Sequence, residues 1–446
     1  MQQRLIPQRT VNEWVDYIQT LHHREIELSL ERVNQVYRRL YPQGLDYKII
    51  SIAGTNGKGS TAELIASIYN QSGAKVGKFS SPHLIEFGER YCVNGNNAKG
   101  EALIDAFIKI EQARAEIPIT YFEFGALLAI ELFSAANVDV AVMEVGLGGR
   151  LDAINILDAD VSLITSISID HTAWLGDTVD LIAREKVGIA RSNKPCVVGI
   201  RQPSQSIVDH CQNINADLHT LGQGFDYQTS EVDGQSWSWH SKRTNRQLTQ
   251  LPLPFSQDGV QLSNAAIAIE AIDSLREYLP VENQAIFNGL RKAKILARCQ
   301  IFNQSPLSIL DVAHNESSVQ RLRFFIDRQM AFKNKPASKI YAVCGMLQDK
   351  EVAKSLACLD GLVSDWHFAT IDNERGATAD YLQSQLSFVS DITAKVIVKY
   401  ECVVKAYEEV LKVLTDDDIL IVFGSFFVAG DILKVIAKHE TKSPVD

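Results

Sequence analysis

The chain has 446 residues, more than one hydrophobic core usually supports, so two domains are expected. Hydrophobic residues make up 46% and charged residues 22%, which excludes a disordered chain and fits a soluble globular one. The formal charge of -10 argues against a nucleic-acid binder, although one local basic loop is enough to hold a phosphate.

The N-terminal stretch MQQRLIPQRTVNEWVDYI lacks the apolar segment and cleavage pattern of a secretory signal. No uninterrupted apolar run reaches the roughly 18 residues of a membrane span, so no membrane partner is expected. The seven cysteines are scattered, odd in number and form no C-x-x-C pair. That usage suits free thiols in a reducing compartment, and the expected location is cytoplasmic.

Short β-branched runs alternate with helical patterns, the signature of a parallel sheet covered by helices. Residues 47–53 read as a buried strand that leads into a glycine-rich turn. Residues 61–72 carry Leu64, Ile65 and Ile68 at helical spacing and stop near Gly73. Residues 138–144 form a second predicted strand, ending in the loop 145–152. Residues 161–169 form a third, ending at Asp170 and His171, and 195–200 a fourth. Between about 216 and 255 the texture turns to short strand-like pieces broken by Gly, Asp and Asn, a small β-rich layer. Residues 263–279 return to helix.

A basic stretch at 291–300 precedes a fresh αβ alternation, with predicted strands at 307–312, 340–344, 366–371, 395–398 and 418–423. The expected organisation is α/β throughout: a first domain over 1–294, a linker over 295–299 and a second, nucleotide-binding-like domain over 300–446.

The chemistry starts at Gly54, Thr55, Asn56, Gly57, Lys58, Gly59 and Ser60, between a strand and a helix. Glycines let backbone N–H groups turn inward, the helix N-terminus adds partial positive charge, and Lys58 supplies a full one. That arrangement holds nucleotide phosphates. The usual P-loop template wants a Gly separated by four residues from the Gly-Lys pair and Ser or Thr after the lysine. Ile52 and Gly59 occupy those places here.

This variant loop resembles that of the Mur ligase superfamily. Ser80-Ser81-Pro82-His83-Leu84, Glu144 to Ala153 (EVGLGGRLDA), Asp170-His171-Thr172 and Arg184 to Ile189 (REKVGI) narrow the likeness. They are similar to strings of folylpolyglutamate synthases and dihydrofolate synthases. Asp311-Val312-Ala313-His314-Asn315, Gly345 to Lys350 and Phe423-Gly424-Ser425 continue the match, in that family's order.

The resemblance implies a Mur-ligase-like P-loop ATPase domain with a small β-rich layer, and a C-terminal Rossmann-like domain. It implies ATP-dependent ligation of L-glutamate to dihydropteroate and to folates, through an acyl phosphate. Forming an amide from a carboxylate needs a leaving group, and Mg²⁺ must neutralise the phosphates that approach it. By the same resemblance Ser81, Glu144 and His171 are the magnesium ligands, and Lys186 is a candidate for carbamylation beside a second magnesium. Spacing alone would instead place Lys186 in solvent, as helical lysines usually are. Asn264 is expected at the adenine, Arg298 at an ATP phosphate, and Asp311 and His314 at the nucleotide. Thr120, Phe122 and Ala153 are expected at the pterin-bearing substrate. Two residues depart from the family pattern: Ala297 stands where a glycine usually precedes the arginine, and Glu316 where a proline follows His-Asn.

Residues 28–40 resemble a segment that bifunctional bacterial enzymes place near the pterin, so both activities are expected, in a monomer. Two other readings stay open. A Mur ligase of peptidoglycan synthesis would need a UDP-binding domain ahead of the loop, and only 53 residues precede Gly54. A nucleotide-gated regulatory ATPase would keep the loop but need neither a second substrate pocket nor Lys186.

Overall fold

The computed structural model describes residues 7–24, 26–230, 236–254, 260–333, 339–389 and 396–440. Parts of the N-terminal stretch, residues 231–235 and 255 of the β-rich segment, and the first residue of the predicted strand 395–398 lie outside the described residues. The chain divides into two compact units, Met1–Lys294 and Ile295–Asp446. Among the described residues no helix is long and apolar enough to cross a membrane.

The first unit opens with helices α1 (Val11–Gln19) and α2 (Glu31–Leu40), strand β1 (Lys48–Ala53) and helix α3 (Lys58–Ser72). Strands β2 (Val76–Phe79), β3 (Tyr91–Val93) and β4 (Asn96–Asn97) follow, then helices α4 (Glu101–Arg114) and α5 (Tyr121–Ala135). The chain continues through β5 (Val140–Glu144), β6 (Val161–Ile164), α6 (Thr172–Leu175), α7 (Val179–Val187), β7 (Pro195–Val198), α8 (Gln205–Asn213) and β8 (Asp217–Thr220). Strands β9 (Phe225–Thr229), β10 (Ser236–Ser241) and β11 (Arg246–Pro252) precede helices α9 (Val260–Ser274) and α10 (Asn283–Lys292).

Eight of these strands form one sheet in the order β4-β3-β2-β5-β1-β6-β7-β8. All neighbours from β2 to β8 run parallel, and β3 and β4 add an antiparallel edge. Its central strands are apolar on both sides because helices cover both faces. Ile50, Ile52, Val140 and Val142 pack against α3, α9 and α10, while Ile49, Ala141 and Met143 face α4 and α5.

Two expectations from the sequence are corrected here. The strand expected over 161–169 stops at Ile164, because Thr165, Ser166 and Ser168 leave the sheet to bond the glycine-rich loop. The Thr165 and Ser166 hydroxyls donate to Asn56 O at 2.7 and 2.9 Å, and Ser168 N donates to Thr55 Oγ1 at 3.1 Å. The β-rich layer is smaller than 216–255, since β8 pairs parallel with β7 and belongs to the large sheet. The layer proper is the antiparallel sheet β11-β10-β9, which buries Trp237 and Trp239.

The second unit holds β12 (Gln300–Gln304), β13 (Leu307–Leu310), α11 (Glu316–Lys333), β14 (Ile340–Cys344), α12 (Val352–Ala357) and β15 (Asp365–Ala369). It ends with α13 (Ala379–Ser387), β16 (Val396–Tyr400), α14 (Val403–Leu411), β17 (Ile419–Phe423) and α15 (Phe426–Glu440). Its sheet runs β12-β13-β17-β14-β15-β16, parallel except for β12. Strand β12, unexpected from sequence, closes a hairpin with β13 and so extends an otherwise parallel sheet by one edge strand.

The two departures from the family pattern keep workable geometry. Ala297 is fully buried with φ 55°, so alanine holds a conformation glycine enters freely, at a cost of roughly 1–2 kcal/mol. Glu316 opens α11, a first-turn position where an acidic side chain favours the helix dipole as a proline would favour the backbone.

Candidate active site

The glycine-rich loop is built by backbone strain and by tight packing. Gly54 has φ 152°, and a Cβ there would sit 1.9 Å from Thr165 Oγ1. Gly57 has φ 89° and caps the start of α3, with the Asn264 side chain against it: a Cβ at Gly57 would meet Asn264 Oδ1 at 2.6 Å. Thr55 N and Oγ1 donate to Ser166 O and Ser168 O at 2.7 and 3.1 Å. Asn56 N donates to Ser166 Oγ at 3.1 Å, and Ser60 is buried in the first turn of α3. A Gly54→Ala change should therefore destabilise the first unit by about 3 kcal/mol, the upper range for overpacking. Chemical denaturation would measure the loss, and adding Thr165→Ala should return part of it by deleting the hydroxyl the new methyl strikes.

Two cations meet on this loop. Lys58 Nζ donates to Gly54 O at 3.0 Å and lies 3.4 Å from Thr55 O. Lys186 Nζ, from α7, donates to the same Gly54 O at 3.1 Å. The solvent-facing reading of Lys186 is corrected, since the residue is only 4% exposed. Glycine makes the burial possible: Gly149 lies against the 185–186 backbone, where a Cβ would come within 2.8 Å of Lys186 O. Burial, reinforced by the neighbouring Lys58 charge and opposed by Asp170 and Asp152, lowers the Lys186 pKa to about 7. Much of this side chain is thus a neutral, nucleophilic amine at neutral pH.

Glu144 ends β5 beside the loop and is 5% exposed. Its Oε2 accepts from Ser81 N at 3.2 Å and would lie 3.4 Å from a Cβ at Gly59. Glu144 and Ser81 are hard oxygen donors, and together they suit a cation that prefers oxygen. His171 stands at the start of α6 with φ 52°, a left-handed conformation sparse for residues other than glycine and enriched at functional positions. Its N–H donates to Asp170 Oδ1 at 2.9 Å, and Asp170 in turn faces Lys186. Among the described residues no three His, Cys, Asp or Glu side chains cluster as a metal site. Of the three predicted ligands, the backbone bond brings Ser81 and Glu144 together, and His171 stands beside Asp170 at the start of α6.

The expected substrate residues occupy one corner of the same unit. Thr120 caps α5: its Oγ1 accepts from Glu123 N at 3.2 Å while Glu123 Oε2 accepts from Thr120 N at 2.7 Å. Phe122, in the first turn of α5, packs its ring against the loop after β5, where a Cβ at Gly146 would meet it at 2.5 Å. Ala153 is buried beside Asp152. Arg32 of α2 donates to Glu123 Oε1 at 3.1 Å, so the 28–40 segment is tied to the start of α5.

Asp152, which carries no role in the sequence reading, holds this loop together. Its carboxylate accepts from Gly146 N, Leu147 N and Ile154 N at 3.0, 2.9 and 2.9 Å. Burial outweighs those bonds and raises its pKa to about 6. The Gly-rich string with an Asp at its end was the available signal. Lys78 and Glu63, an ion pair at 2.5 Å, gave none.

In the second unit, Asp311 is the organiser of a backbone turn. Its Oδ2 accepts from Cys299 N and its Oδ1 from Ala313 N, both at 2.6 Å. His314 Nδ1 bonds Val312 O at 2.8 Å. Arg298 lies over the Phe426 ring at 5.0 Å, and His314 is 6.4 Å from that ring, so both side chains flank the start of α15.

Comparison with known proteins agrees in both units. The Mur ligase middle domain matches residues 52–272 and the Mur ligase glutamate ligase domain residues 297–426. The Escherichia coli dihydrofolate synthase/folylpolyglutamate synthase is 38% identical over 423 residues, covering 95% of this chain and 94% of that one. The structure of E. coli FolC in complex with DHPP and ADP superposes with a TM-score of 0.88 at 37% identity, over 98% of this chain and all of that one. A bifunctional folylpolyglutamate synthase/dihydrofolate synthase with Mn, AMPPNP and L-glutamate bound gives 0.85 at 37% identity, over 97% of this chain and 99% of that one. The chain therefore belongs to the dihydrofolate synthase/folylpolyglutamate synthase family of Mur ligases.

Proposed function

We propose that this chain joins L-glutamate to dihydropteroate and to the glutamyl carboxylate of folates, with ATP converted to ADP. The observation that carries the chemistry is the pairing of Lys58 and Lys186 on one loop carbonyl, beside the Glu144 carboxylate. Loop N–H groups and Lys58 are suited to hold the β- and γ-phosphates. The acceptor carboxylate takes the γ-phosphoryl group, and the glutamate amine then displaces phosphate from the acyl phosphate to form the amide. No protein nucleophile is needed.

A magnesium ion held by Glu144, Ser81 and His171 would neutralise charge between the phosphates and the acceptor carboxylate. Lys186 in its neutral form can add CO₂ at Nζ and release a proton, which turns a buried neutral amine into an anion suited to a second magnesium. Arg298 and His314 are the second unit's candidates for nucleotide contact, and Asn264 the first unit's. The Arg32–Glu123 bond supports an acceptor site between the 28–40 segment and the start of α5, with Phe122 as its aromatic.

The test is ADP release by the purified chain with dihydropteroate, ATP and Mg²⁺, with and without L-glutamate. No ADP above the glutamate-free background would end the ligase reading. Turnover on a reduced monoglutamyl folate but not on dihydropteroate would remove the dihydrofolate synthase half.

A further inference from the structure

Lys78 is a charged residue in a short strand of the large sheet, on the face that carries Glu144. In the parallel register of β2 and β5 it lies opposite Val142, and alternate side chains of a strand share a face. Val142 and Glu144 are two residues apart, so Lys78 projects beside Glu144 on the side covered by α3. From α3 comes Glu63, one helical turn beyond Gly59, whose Cβ position is 3.4 Å from Glu144 Oε2. Lys78 Nζ pairs with Glu63 Oε2 at 2.5 Å, and the two side chains are 16% and 21% exposed. Glu63, Lys78 and Glu144 therefore form a row of alternating charge that ends at the proposed cation site. Burial works against the Lys78 ammonium, yet Glu63, with smaller help from Cys92 and Glu144, holds its pKa above the ordinary value. The lysine is a fixed positive charge.

We propose that Lys78 and Glu63 together set how tightly the Glu144 site binds its divalent cation. This rests on the assignment of Glu144 as a cation ligand made above. A positive charge beside a carboxylate weakens that carboxylate's hold on a metal ion, by repulsion of the ion and by competition for the oxygens. Glu63 draws the ammonium away and cancels part of its field. The two residues thus act with opposite sign. A plain tie between α3 and β2 would change stability alone.

The experiment titrates Mn²⁺ into the full chain at fixed AMPPNP and follows the electron paramagnetic resonance signal of free Mn²⁺, with a nucleotide-only titration subtracted. Lys78→Met should bind Mn²⁺ roughly three- to tenfold more tightly than the unaltered chain, and Glu63→Gln more weakly by a similar factor. Lys78→Arg, which keeps the charge, should stay within about twofold. Equal affinities in all variants, or shifts of one sign in Lys78→Met and Glu63→Gln, overturn the proposal. If Lys78→Met does not fold, the sign of the Glu63→Gln shift decides. Absence of protein-dependent Mn²⁺ binding in the unaltered chain would instead strike down the Glu144 assignment, and this inference with it.

Discussion

Replacing Lys186 by alanine is expected to lower kcat about 10²- to 10³-fold, the loss typical of removing one preorganised charged group from a reaction centre. Short carboxylates such as acetate should return part of the rate, because they can place an anion where the carbamate would stand. The pH dependence follows from the depressed pKa of about 7. Only the neutral amine adds CO₂, so carbamate formation should rise from pH 6 to pH 8, as ¹³C-labelled bicarbonate would reveal by NMR. Stability carries the same signature. Between about 7 and the ordinary lysine value the unfolded chain binds a proton at this amine that the folded chain rejects. Folding is opposed in full below pH 7, and the opposition fades as pH rises toward 10.5. Lys186→Met should accordingly be more stable than the unaltered chain at pH 6, by an amount on the order of a few kcal/mol that shrinks toward pH 10. A Lys186→Ala enzyme with unchanged kcat from pH 6 to 9 would remove Lys186 from the chemistry.

The phosphate loop could be read from sequence because its determinants are local: two glycines, a lysine, a strand before and a helix after. Lys186 could not be read that way. Its burial depends on a bond to Gly54 O, 132 residues away in the chain, and on the close approach permitted by Gly149. Resemblance singled out the residue, whereas helical spacing pointed to solvent. The overlong strand at 161–169 has the opposite cause. Thr165-Ser166-Ile167-Ser168-Ile169 alternates as a strand does, but the Thr165 and Ser166 hydroxyls and the Ser168 N–H bond the loop and abandon the ladder. Lys78 was invisible for a third reason. Nothing in the string VGKF marks its lysine, and only the register with β5 and the pairing with Glu63 place it indoors.

Lys58→Met should lower kcat/KM about 10²- to 10⁴-fold, because phosphoryl transfer depends on positioning and charge stabilisation far more than on covalent help. The structure adds a second consequence. Lys58 and Lys186 donate to one carbonyl, and the Lys58 charge is the second cause, after burial, of the low Lys186 pKa. Without that charge the Lys186 pKa should climb, leaving fewer neutral amines at pH 7 and less carbamate at a given CO₂ concentration. Lys58→Arg keeps a cation near Gly54 and should leave the Lys186 titration depressed, although its wider head misplaces the phosphate contact and impairs turnover. The two variants thus separate two duties of one ammonium. Both should turn over slowly, but added bicarbonate should raise carbamate occupancy far more in Lys58→Met than in Lys58→Arg. Identical bicarbonate responses would mean that the loop lysine holds phosphate and does not tune its buried neighbour.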